Sequence, residues 1–370
     1  MTEASEEPAP QSAGPADAMS SAMSRAPSGP YRLVWGLALV PCLALLAGVE
    51  ARMRSQGHEP YVVDDKALWA LHRGRAHPRA QERVIVLAGA SRMQLDVVPS
   101  ELEAALPGWR VVQLAIDGAH PLAVLRDMAE DESFDGVVLC AVKPMSFCLR
   151  QHGAQQPWVD YYHRQWRTAG AFDDLVNRHV ATFLQQRFVV FTPHANPRWL
   201  LLHNLQPEPA HVITYPDRSR LGFFRRRAGR EGAPRSPRSL TTRKPFLRKD
   251  MDQYRARLDE WLPDVRRVRP WVERIRRRGG RVVFISLPLS GGTRKGMEAM
   301  YPIDVFWDRI AEATGATTIH YQDSEGMVGY VCPDGSHLDA TDAPEFTRAL
   351  AEELKRLGVV EPLAAAGNPG

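Results

Sequence analysis

Short runs of apolar, largely β-branched residues recur along the chain, and segments with helical spacing of apolar positions separate them. The runs are Val84–Leu87, Val111–Ile116, Val137–Cys140, Val282–Leu287 and, more weakly, Thr317–Tyr321. Such runs are typical of strands that are buried on both faces of a sheet. Helical patterns such as Ser100–Leu106 and Pro121–Ala129 lie between them, and Ser100 followed by Glu103 predicts a capping box. The alternation predicts a three-layer α/β/α domain with a five-stranded parallel sheet.

The alternation is interrupted in the middle of the predicted domain. Trp158–Phe188 and Met251–Arg278 have apolar residues at roughly helical spacing, without strand runs between them. Pro263 and Pro270 are expected to kink or divide the second of these segments. The sequence therefore predicts a largely helical insertion or cap at about 150–280.

The N-terminal region carries a different pattern, a long apolar stretch without charges. Leu33–Val49 comprises seventeen uncharged residues, which is just long enough to span a bilayer. A signal-peptide core or a buried helix has the same composition. However, about thirty residues precede the stretch and no convincing small-residue cleavage site follows, which favours a retained signal anchor. Arginines lie on both sides of the stretch, so charge does not determine its orientation.

The remaining boundaries follow from composition. The first thirty positions are rich in Ala, Ser, Pro and Glu, a composition that does not favour a packed core. The predicted segments are a disordered tail at 1–30, a membrane anchor at 31–52, a linker at 53–82, the α/β domain at 83–360 and a second disordered tail at 361–370.

The formal net charge is +4 at pH 7, but the charges are unevenly distributed. Arg218–Lys249 is dense in Arg and Lys and contains Glu231 as its only acid. One interpretation is a solvated loop. The other is a contact for an acidic polysaccharide or for anionic lipid headgroups, since each basic residue gains about 1 kcal/mol near an anionic surface. No recognised nucleic-acid-binding module accompanies the charge, so nucleic acid is not expected as a partner.

Two polar motifs carry candidate chemistry. Ser91 ends the sequence Gly-Ala-Ser directly after the first predicted strand, and open α/β sheets bind ligands at the carboxyl ends of their strands. Asp334 lies three residues before His337 in a polar turn, so its carboxylate can turn back and orient the imidazole. Each motif has a structural alternative, which is a capping serine for the first and a capping Asp beside an exposed His for the second. Together, in this order, they predict a Ser-His-Asp triad.

These motifs resemble those of the SGNH or GDSL-type hydrolases. The family's Gly-Asp-Ser block after the first strand is matched by the Gly-Ala-Ser that ends at Ser91. Its second-block glycine is matched by Gly118, and its last block, Asp-x-x-His, by Asp334 to His337. The resemblance covers roughly residues 83–141 and 281–357, and it implies a flavodoxin-like arrangement of the sheet. It implies that Ser91 is the nucleophile, that His337 is the general base and then acid, and that Asp334 orients His337.

The resemblance also implies an oxyanion hole, with one departure. Its donors would be the backbone N–H groups of Ser91 and Gly118 and an Asn side chain after the third strand. The chain has no Asn there, and Lys143 stands at about that position, where it is expected to supply a charged donor. Because loss of one such donor costs ~3–4 kcal/mol of transition-state stabilisation, both an active, divergent enzyme and an inactive relative stay open.

Two residues next to the motifs are candidate substrate contacts. His120 follows Gly118 closely, and its alternative role is to begin a helix. Arg92 follows Ser91, and its alternative role is to cap a helix or to pair with Asp117.

The cysteines and aromatic residues change this interpretation little. Four cysteines without CxxC or His/Cys spacing do not indicate a zinc site, and no metal or organic cofactor is implied. Cys148 and Cys332 follow segments that are expected to end at the same sheet edge, so a disulfide is conceivable in an extracytoplasmic domain. The aromatic residues of the insertion are expected in a helical core rather than in a sugar-stacking platform. They are Trp158, Tyr161, Tyr162 and Trp166.

The anchor, the basic stretch and the triad together favour an enzyme of the cell envelope. The resemblance to membrane-anchored SGNH-like O-acyltransferases of cell-surface polymers implies a serine esterase or O-acyltransferase. Its substrate would be an ester-bearing glycan or lipid, with an acylated envelope glycan favoured. The same resemblance implies a single-pass membrane protein with an extracytoplasmic (periplasmic) domain. The alternative is a catalytically inactive SGNH-like binding or scaffold protein of an envelope polysaccharide assembly.

Overall fold

The computed structural model describes six stretches of the chain, which are residues 31–77, 82–148, 153–168, 171–193, 209–227 and 252–361. The chain divides into two compact units, Met1–Gln56 and Gly57–Gly370. In the first unit, a helix spans Tyr31–Ser55. Its part Leu33–Ser55 is long and apolar enough to cross a membrane, as the sequence predicts, and its large apolar side chains are exposed. Both predicted tails lie outside the described residues, apart from Glu361.

The described residues form seven strands, and five of them build one parallel sheet. In chain order the strands are β1 Arg83–Ala88, β2 Trp109–Gln113, β3 Val137–Ala141, β4 Val212–Thr214, β5 Arg220–Gly222, β6 Arg281–Ser286 and β7 Thr317–His320. The sheet order is β2-β1-β3-β6-β7, and every neighbouring pair is parallel. β4 and β5 form a separate antiparallel hairpin. The predicted α/β class with a five-stranded parallel sheet is therefore confirmed.

Both faces of the sheet are buried, because successive side chains of a strand point to opposite faces. In β1, Val84 and Val86 belong to one core cluster, whereas Ile85 and Leu87 belong to the other. Helices supply the opposing side chains of both clusters. On the first face they are Lys66–Gly74, Leu122–Glu130, Asp252–Arg266, Arg269–Arg277 and Asp308–Thr314, and on the second they are Ser91–Asp96, Pro99–Ala105 and Ala343–Arg356. The strands are uninterrupted runs of apolar residues because neither face of the sheet meets solvent.

The second half of the predicted insertion belongs to the helical layers. Asp252–Arg266 and Arg269–Arg277 bury Val265 and Val272 in the core cluster of the first face. They form the crossover between β3 and β6, so their prediction as part of an insertion or cap is wrong. Amphipathic spacing is the same in a cap helix and in a layer helix, and this is why the pattern did not distinguish them.

Helix Lys66–Gly74, from the predicted linker at 53–82, packs against described helices of the first half of the predicted insertion. Helix Lys66–Gly74 buries Trp69 against the sheet, and the ring of Tyr162 meets Trp69 edge-on at 6.4 Å. The other insertion aromatics, Trp158, Tyr161 and Trp166, are partly buried against the same core, so the prediction of a helical core is confirmed. The surrounding elements are helix Gln156–Tyr161, the π-helical turn Tyr162–Trp166, helix Ala171–Gln185 and the 3-10 turn Val189–Phe191.

The predicted capping box is wrong. The helix is Pro99–Ala105, and Val98 occupies its N-cap position without a side-chain hydrogen bond. Glu103 Oε1 instead accepts a hydrogen bond from the backbone N–H of Val111 at 2.8 Å, which ties the helix to β2. The remaining elements are the 3-10 turn Pro144–Phe147, helix Phe224–Arg227, helix Gly291–Met300 and the π-helical turn Ile303–Trp307.

Arg218 anchors the β4–β5 hairpin to the sheet. Its side chain is fully buried, and its guanidinium forms two hydrogen bonds with the carboxylate of Asp64, at 2.6 and 3.0 Å. The same guanidinium donates to the carbonyl oxygens of Gln113, at the end of β2, and of Ala115, just after it, at 2.7 and 2.9 Å. Arg218, the first residue of the predicted basic stretch, is therefore buried rather than exposed. Residues 228–249 of that stretch lie outside the described residues.

Helix Ala171–Gln185 has one face that contacts the domain and one that does not. On the inner side, Arg178 forms an ion pair with Asp65 at 2.7 Å, and Gln185 accepts a hydrogen bond from the backbone of Val63. On the outer side lies a row of exposed apolar side chains, with Phe172 70% exposed. Its members are Phe172, Val176, Val180 and Phe183.

Candidate active site

Ser91 lies just beyond the carboxyl end of β1, as the first residue of helix Ser91–Asp96. Gly89 makes the preceding turn possible, because a Cβ atom there would lie 2.5 Å from the Cβ of Met93 and 3.2 Å from the Cβ of Ala141. In the sheet order β2-β1-β3-β6-β7, the chain changes direction between β1 and β3. Open α/β sheets bind ligands at such switch points, at the carboxyl ends of the strands.

Three side chains meet at this point. The hydroxyl of Ser91 donates to Nε2 of His337 at 2.9 Å, and Nδ1 of His337 donates to Oδ2 of Asp334 at 2.7 Å. The side chains of His337 and Asp334 are 18% and 35% exposed, so the array opens to solvent on one side. The structure thus brings together the three residues that the sequence proposes as a triad.

Asp334 is held in place by the loop that follows it. Its Oδ1 accepts hydrogen bonds from the backbone N–H groups of Ser336 and His337 at 2.9 and 2.8 Å. Partial burial raises the pKa of Asp334, but the hydrogen bonds from His337 and from these N–H groups outweigh burial and lower it below the usual value. The carboxylate is therefore ionised at neutral pH and fixes the Nδ1–H tautomer of His337.

Phe224 covers one face of the candidate base. Its ring stacks on the imidazole of His337, with centroids 5.6 Å apart and planes 14° from parallel. The aromatic ring comes from helix Phe224–Arg227, which follows the hairpin. Sequence reasoning missed this contact because it treated Phe224 as part of a basic stretch, and only the folded hairpin brings the two rings together.

Asp96 lies behind the triad and is a second residue that sequence reasoning missed. It is fully buried, and its Oδ1 accepts a hydrogen bond from the backbone N–H of Leu338 at 2.8 Å. Burial raises the pKa of Asp96 to about 8, against the opposing effects of the Leu338 hydrogen bond and of Arg92. The protonated side chain ties the helix of Ser91 to the loop of His337. The signal available in the sequence was an acid among the apolar residues Met93 and Leu95.

The residues proposed for the oxyanion hole line one cavity next to Ser91. Ser91, Gly118, His120 and Lys143 all contribute to its walls. Gly118 has a φ of +66°, a left-handed conformation that favours glycine. Among the described residues, no acceptor takes the backbone N–H of Ser91 or of Gly118. Both N–H groups are therefore available to a substrate oxygen.

Lys143 follows β3 and is half-buried in the same cavity. Burial, and then the nearby charge of Arg92, lower the pKa of Lys143 to about 8. Its backbone N–H donates to Ser146 Oγ at 3.0 Å, and Nδ1 of His120 lies 3.1 Å from the same hydroxyl. This network holds Lys143 and His120 on one wall of the cavity.

Arg92 also lines this cavity, but its side chain is almost fully buried. Its side chain is 6% exposed, and its guanidinium donates to the carbonyl oxygen of Leu287, just after β6, at 3.0 Å. Asp117 forms an ion pair with Arg220 of the hairpin at 2.6 Å. Arg92 therefore does not take its alternative role of pairing with Asp117, because each has a partner from a distant segment.

The disulfide between Cys148 and Cys332 does not form, and both thiols are free. Cys332 is buried in the core on one face of the sheet, with its Sγ 3.5 Å from the carbonyl oxygen of Pro288. Cys148 packs against the core on the opposite face. Among the described residues, no group of three or more His, Cys, Asp or Glu side chains is arranged to hold a metal ion.

Comparisons with known proteins add little to this geometry. No protein-family model and no curated protein matches the chain. A solved structure of "a putative arylesterase from Agrobacterium tumefaciens str. C58" aligns with 74% of this chain and 99% of that chain, at 12% identity and a TM-score of 0.31. A likeness this distant supports no argument about function, so the interpretation of the site depends on its residues.

Proposed function

We propose that the chain is a serine esterase or O-acyltransferase of SGNH type. The observation that carries the proposal is the hydrogen-bonded array of Ser91, His337 and Asp334 at the switch point of the sheet. A serine hydroxyl donating to an imidazole that a carboxylate orients is the arrangement that activates serine for acyl transfer. The motifs around Ser91, Gly118 and the Asp334-to-His337 segment favour the SGNH type.

The proposed reaction has two steps. His337 Nε2 takes the proton of the Ser91 hydroxyl as Oγ attacks the ester carbonyl, and it then gives that proton to the leaving alcohol. The acyl group is left on Ser91. Water or a sugar hydroxyl attacks this acyl-enzyme, His337 takes its proton, and Ser91 regains its hydrogen as the acyl group leaves. Two backbone N–H groups, of Ser91 and Gly118, and the Lys143 ammonium would stabilise the developing oxyanion.

The proposed substrate is an acylated glycan of the cell envelope, and the proposed location of the domain is extracytoplasmic. A helix long and apolar enough to span a membrane supports membrane attachment. The resemblance to membrane-anchored acyltransferases of surface polymers supports the glycan and the outward orientation. A topology reporter fused to the C-terminus tests the orientation. A cytoplasmic result would contradict both the location and the envelope substrate.

Labelling with a fluorophosphonate tests the chemistry directly. We expect the full-length protein, in mild detergent, to form a covalent adduct at Ser91, and we expect Ser91→Ala and His337→Ala to abolish it. Ser336→Ala is the matched control, because Ser336 lines the same cavity but only its backbone N–H holds Asp334. Absence of label in folded wild-type protein would contradict an active serine nucleophile.

A binding or scaffold function for the same cleft is the second candidate. One observation favours it, which is that Lys143 stands where the SGNH family has an oxyanion-hole Asn. In that case removal of the Ser91 hydroxyl would not affect the cellular role of the protein. Complementation by Ser91→Ala separates the two functions, since full complementation supports the scaffold and loss supports the enzyme.

A further inference from the structure

The open side of the triad is a cleft, and its outer wall comes from the β4–β5 hairpin and helix Phe224–Arg227. Besides Ser91 and His337, the cleft is lined by His211, Arg220, Phe224 and Arg227. The contacts along this wall are continuous. Phe224 stacks on His337 and meets the ring of His211 at 6.1 Å, and Arg227 lies against His211 in turn.

Most basic residues of this wall already have carboxylate partners. Arg220 pairs with Asp117 at 2.6 Å, and Arg225 pairs with Asp342 at 2.5 Å. Arg227 is different, because among the described residues its guanidinium contacts a neutral acceptor and no carboxylate.

That neutral acceptor is His211. The guanidinium Nη1 of Arg227 donates to His211 Nε2 at 3.0 Å. Burial, and then the charges of Arg227 and Arg220, lower the pKa of His211, so its imidazole is neutral at pH 7 and can accept this bond. The two cleft carboxylates, of Asp117 and Asp334, are bonded to Arg220 and His337. Arg227 is thus an oriented positive charge on the wall of the cleft, and no carboxylate of the described residues pairs with it.

We propose that Arg227 binds a carboxylate of the ester substrate and so selects anionic esters, such as O-acylated acidic sugars. This inference rests on the proposed function. A guanidinium matches the geometry of a carboxylate with paired hydrogen bonds, and His211 holds that guanidinium in one orientation. The charge lies on the same wall as the ring that stacks on His337, so a substrate in the cleft meets both.

The test compares two esters that share the same acyl group and the same leaving-group skeleton. They are meta-acetoxybenzoate and its methyl ester. We expect the wild-type protein to favour the anionic ester in kcat/KM, and we expect Arg227→Ala to lower that preference by about 10- to 100-fold. Arg227→Lys should keep part of the preference. Arg227→Glu should reverse it toward a trimethylammonium aryl acetate. Added salt should weaken the preference of the wild type and leave that of Arg227→Ala unchanged.

Arg226→Ala is the matched control. Arg226 is the preceding residue of the same helix, its side chain is 44% exposed, and it faces Glu59 at 3.9 Å rather than the cleft. We expect Arg226→Ala to retain the wild-type preference. Equal loss for Arg226→Ala and Arg227→Ala, or an unchanged preference in Arg227→Ala, would overturn the inference.

A binding measurement keeps this inference separate from the proposed chemistry. In the Ser91→Ala background, we expect meta-acetoxybenzoate to bind more weakly when Arg227 is also replaced by Ala. We expect its methyl ester to bind to both proteins with the same affinity. If wild-type protein hydrolyses neither ester but this binding difference is seen, the enzyme proposal fails and the anion site stands. If turnover is seen without a binding difference, the anion site fails alone.

Discussion

Two hydrogen bonds on His337 determine which of its nitrogens can receive a proton. The bond from Nδ1 to Asp334 leaves Nε2 as the acceptor that faces Ser91. The backbone N–H groups of Ser336 and His337 donate hydrogen bonds to the Asp334 carboxylate and hold it in place. At the scale of single residues, the site therefore depends on donors and acceptors being in the correct order, more than on the presence of three residue types.

Asp334→Asn tests this order. The amide retains an acceptor for the backbone N–H groups but offers an N–H to Nδ1, which favours the wrong imidazole tautomer. We expect kcat on a neutral aryl acetate to fall by about 10⁴-fold, as happens when other triads lose the carboxylate, with little change in thermal stability. Retention of a tenth of the activity in a folded variant would argue against a triad role for Asp334.

The lowered pKa of Lys143 predicts that the reaction rate depends on pH. Its ammonium is present below a pKa of about 8 and is lost above it, so a rate that needs this donor should fall as the pH rises through 8. Lys143→Arg should extend activity to higher pH, because a guanidinium stays charged. Lys143→Ala should lower kcat by about 10²- to 10³-fold at pH 7. Full turnover by Lys143→Ala would show that another group stabilises the oxyanion.

At the scale of elements, the site is a junction between one helix and one loop that are far apart in sequence. The helix begins at Ser91 and ends at Asp96, and the Asp96 side chain holds Leu338, next to His337. The β4–β5 hairpin, which buried Arg218 anchors to the sheet, leads into the helix that supplies the ring of Phe224. Each of these links has a measurable cost when it is altered.

Asp96, the buried acid that joins the helix of Ser91 to the loop of His337, makes the stability of the protein depend on pH. Asp96 keeps its proton in the folded protein up to about pH 8, whereas its ordinary pKa is 3.8. Folding therefore binds a proton between these two values, and the free energy of unfolding should fall as the pH rises from about 4 to about 8. Asp96→Asn keeps the acceptor for Leu338 without the titration.

Urea unfolding at pH 5 and at pH 8 measures the effect. We expect the stability difference between the two pH values to be smaller in Asp96→Asn than in the wild type. Glu130→Gln, at an exposed acid on another helix, serves as the control and should leave the difference unchanged. An equal difference in wild type and Asp96→Asn would mean that Asp96 is ionised in the folded state.

Replacement of Arg218, which anchors the β4–β5 hairpin, is expected to cause a large loss of stability. Arg218→Met leaves the carboxylate of Asp64, which is 14% exposed, without its ion pair, and this should cost about 3–5 kcal/mol of unfolding free energy. The double variant Arg218→Met, Asp64→Asn should recover part of that loss, because no buried charge is left. Additive losses in the double variant, measured by urea unfolding, would contradict the ion pair as the cause.

At the scale of the whole molecule, the sequence predicts what is encoded locally. The five strands were predicted because each is an apolar run between turns, and Ser91, Asp334 and His337 were proposed because each lies in a short motif next to such a run. The contacts of Phe224, Asp96 and Arg218 join segments more than a hundred residues apart, and no local pattern encodes them. Catalysis by the three motif residues stays a prediction.

The wrong predictions have the same origin. Helical spacing identified Asp252–Arg266 and Arg269–Arg277 as helices but did not indicate which surface they cover. The Ser100–Glu103 spacing fitted a capping box, yet tertiary contact with Val111 took the carboxylate. The same holds for Cys148 and Cys332, whose pairing the sequence leaves open because it does not assign their faces of the sheet. In each case the local pattern does not specify the tertiary partner.

The row of exposed apolar side chains on helix Ala171–Gln185 affects how the protein behaves once extracted from cells. It is formed by Phe172, Val176, Val180 and Phe183. Four large apolar groups on one face form a patch of the kind that promotes self-association in water. Sedimentation velocity in detergent should give one species, and dilution of the detergent should produce larger assemblies. Phe172→Ser with Phe183→Ser should delay that step. Kinetic constants measured near the critical micelle concentration would then describe a mixture, and the double variant is the practical form for solution work.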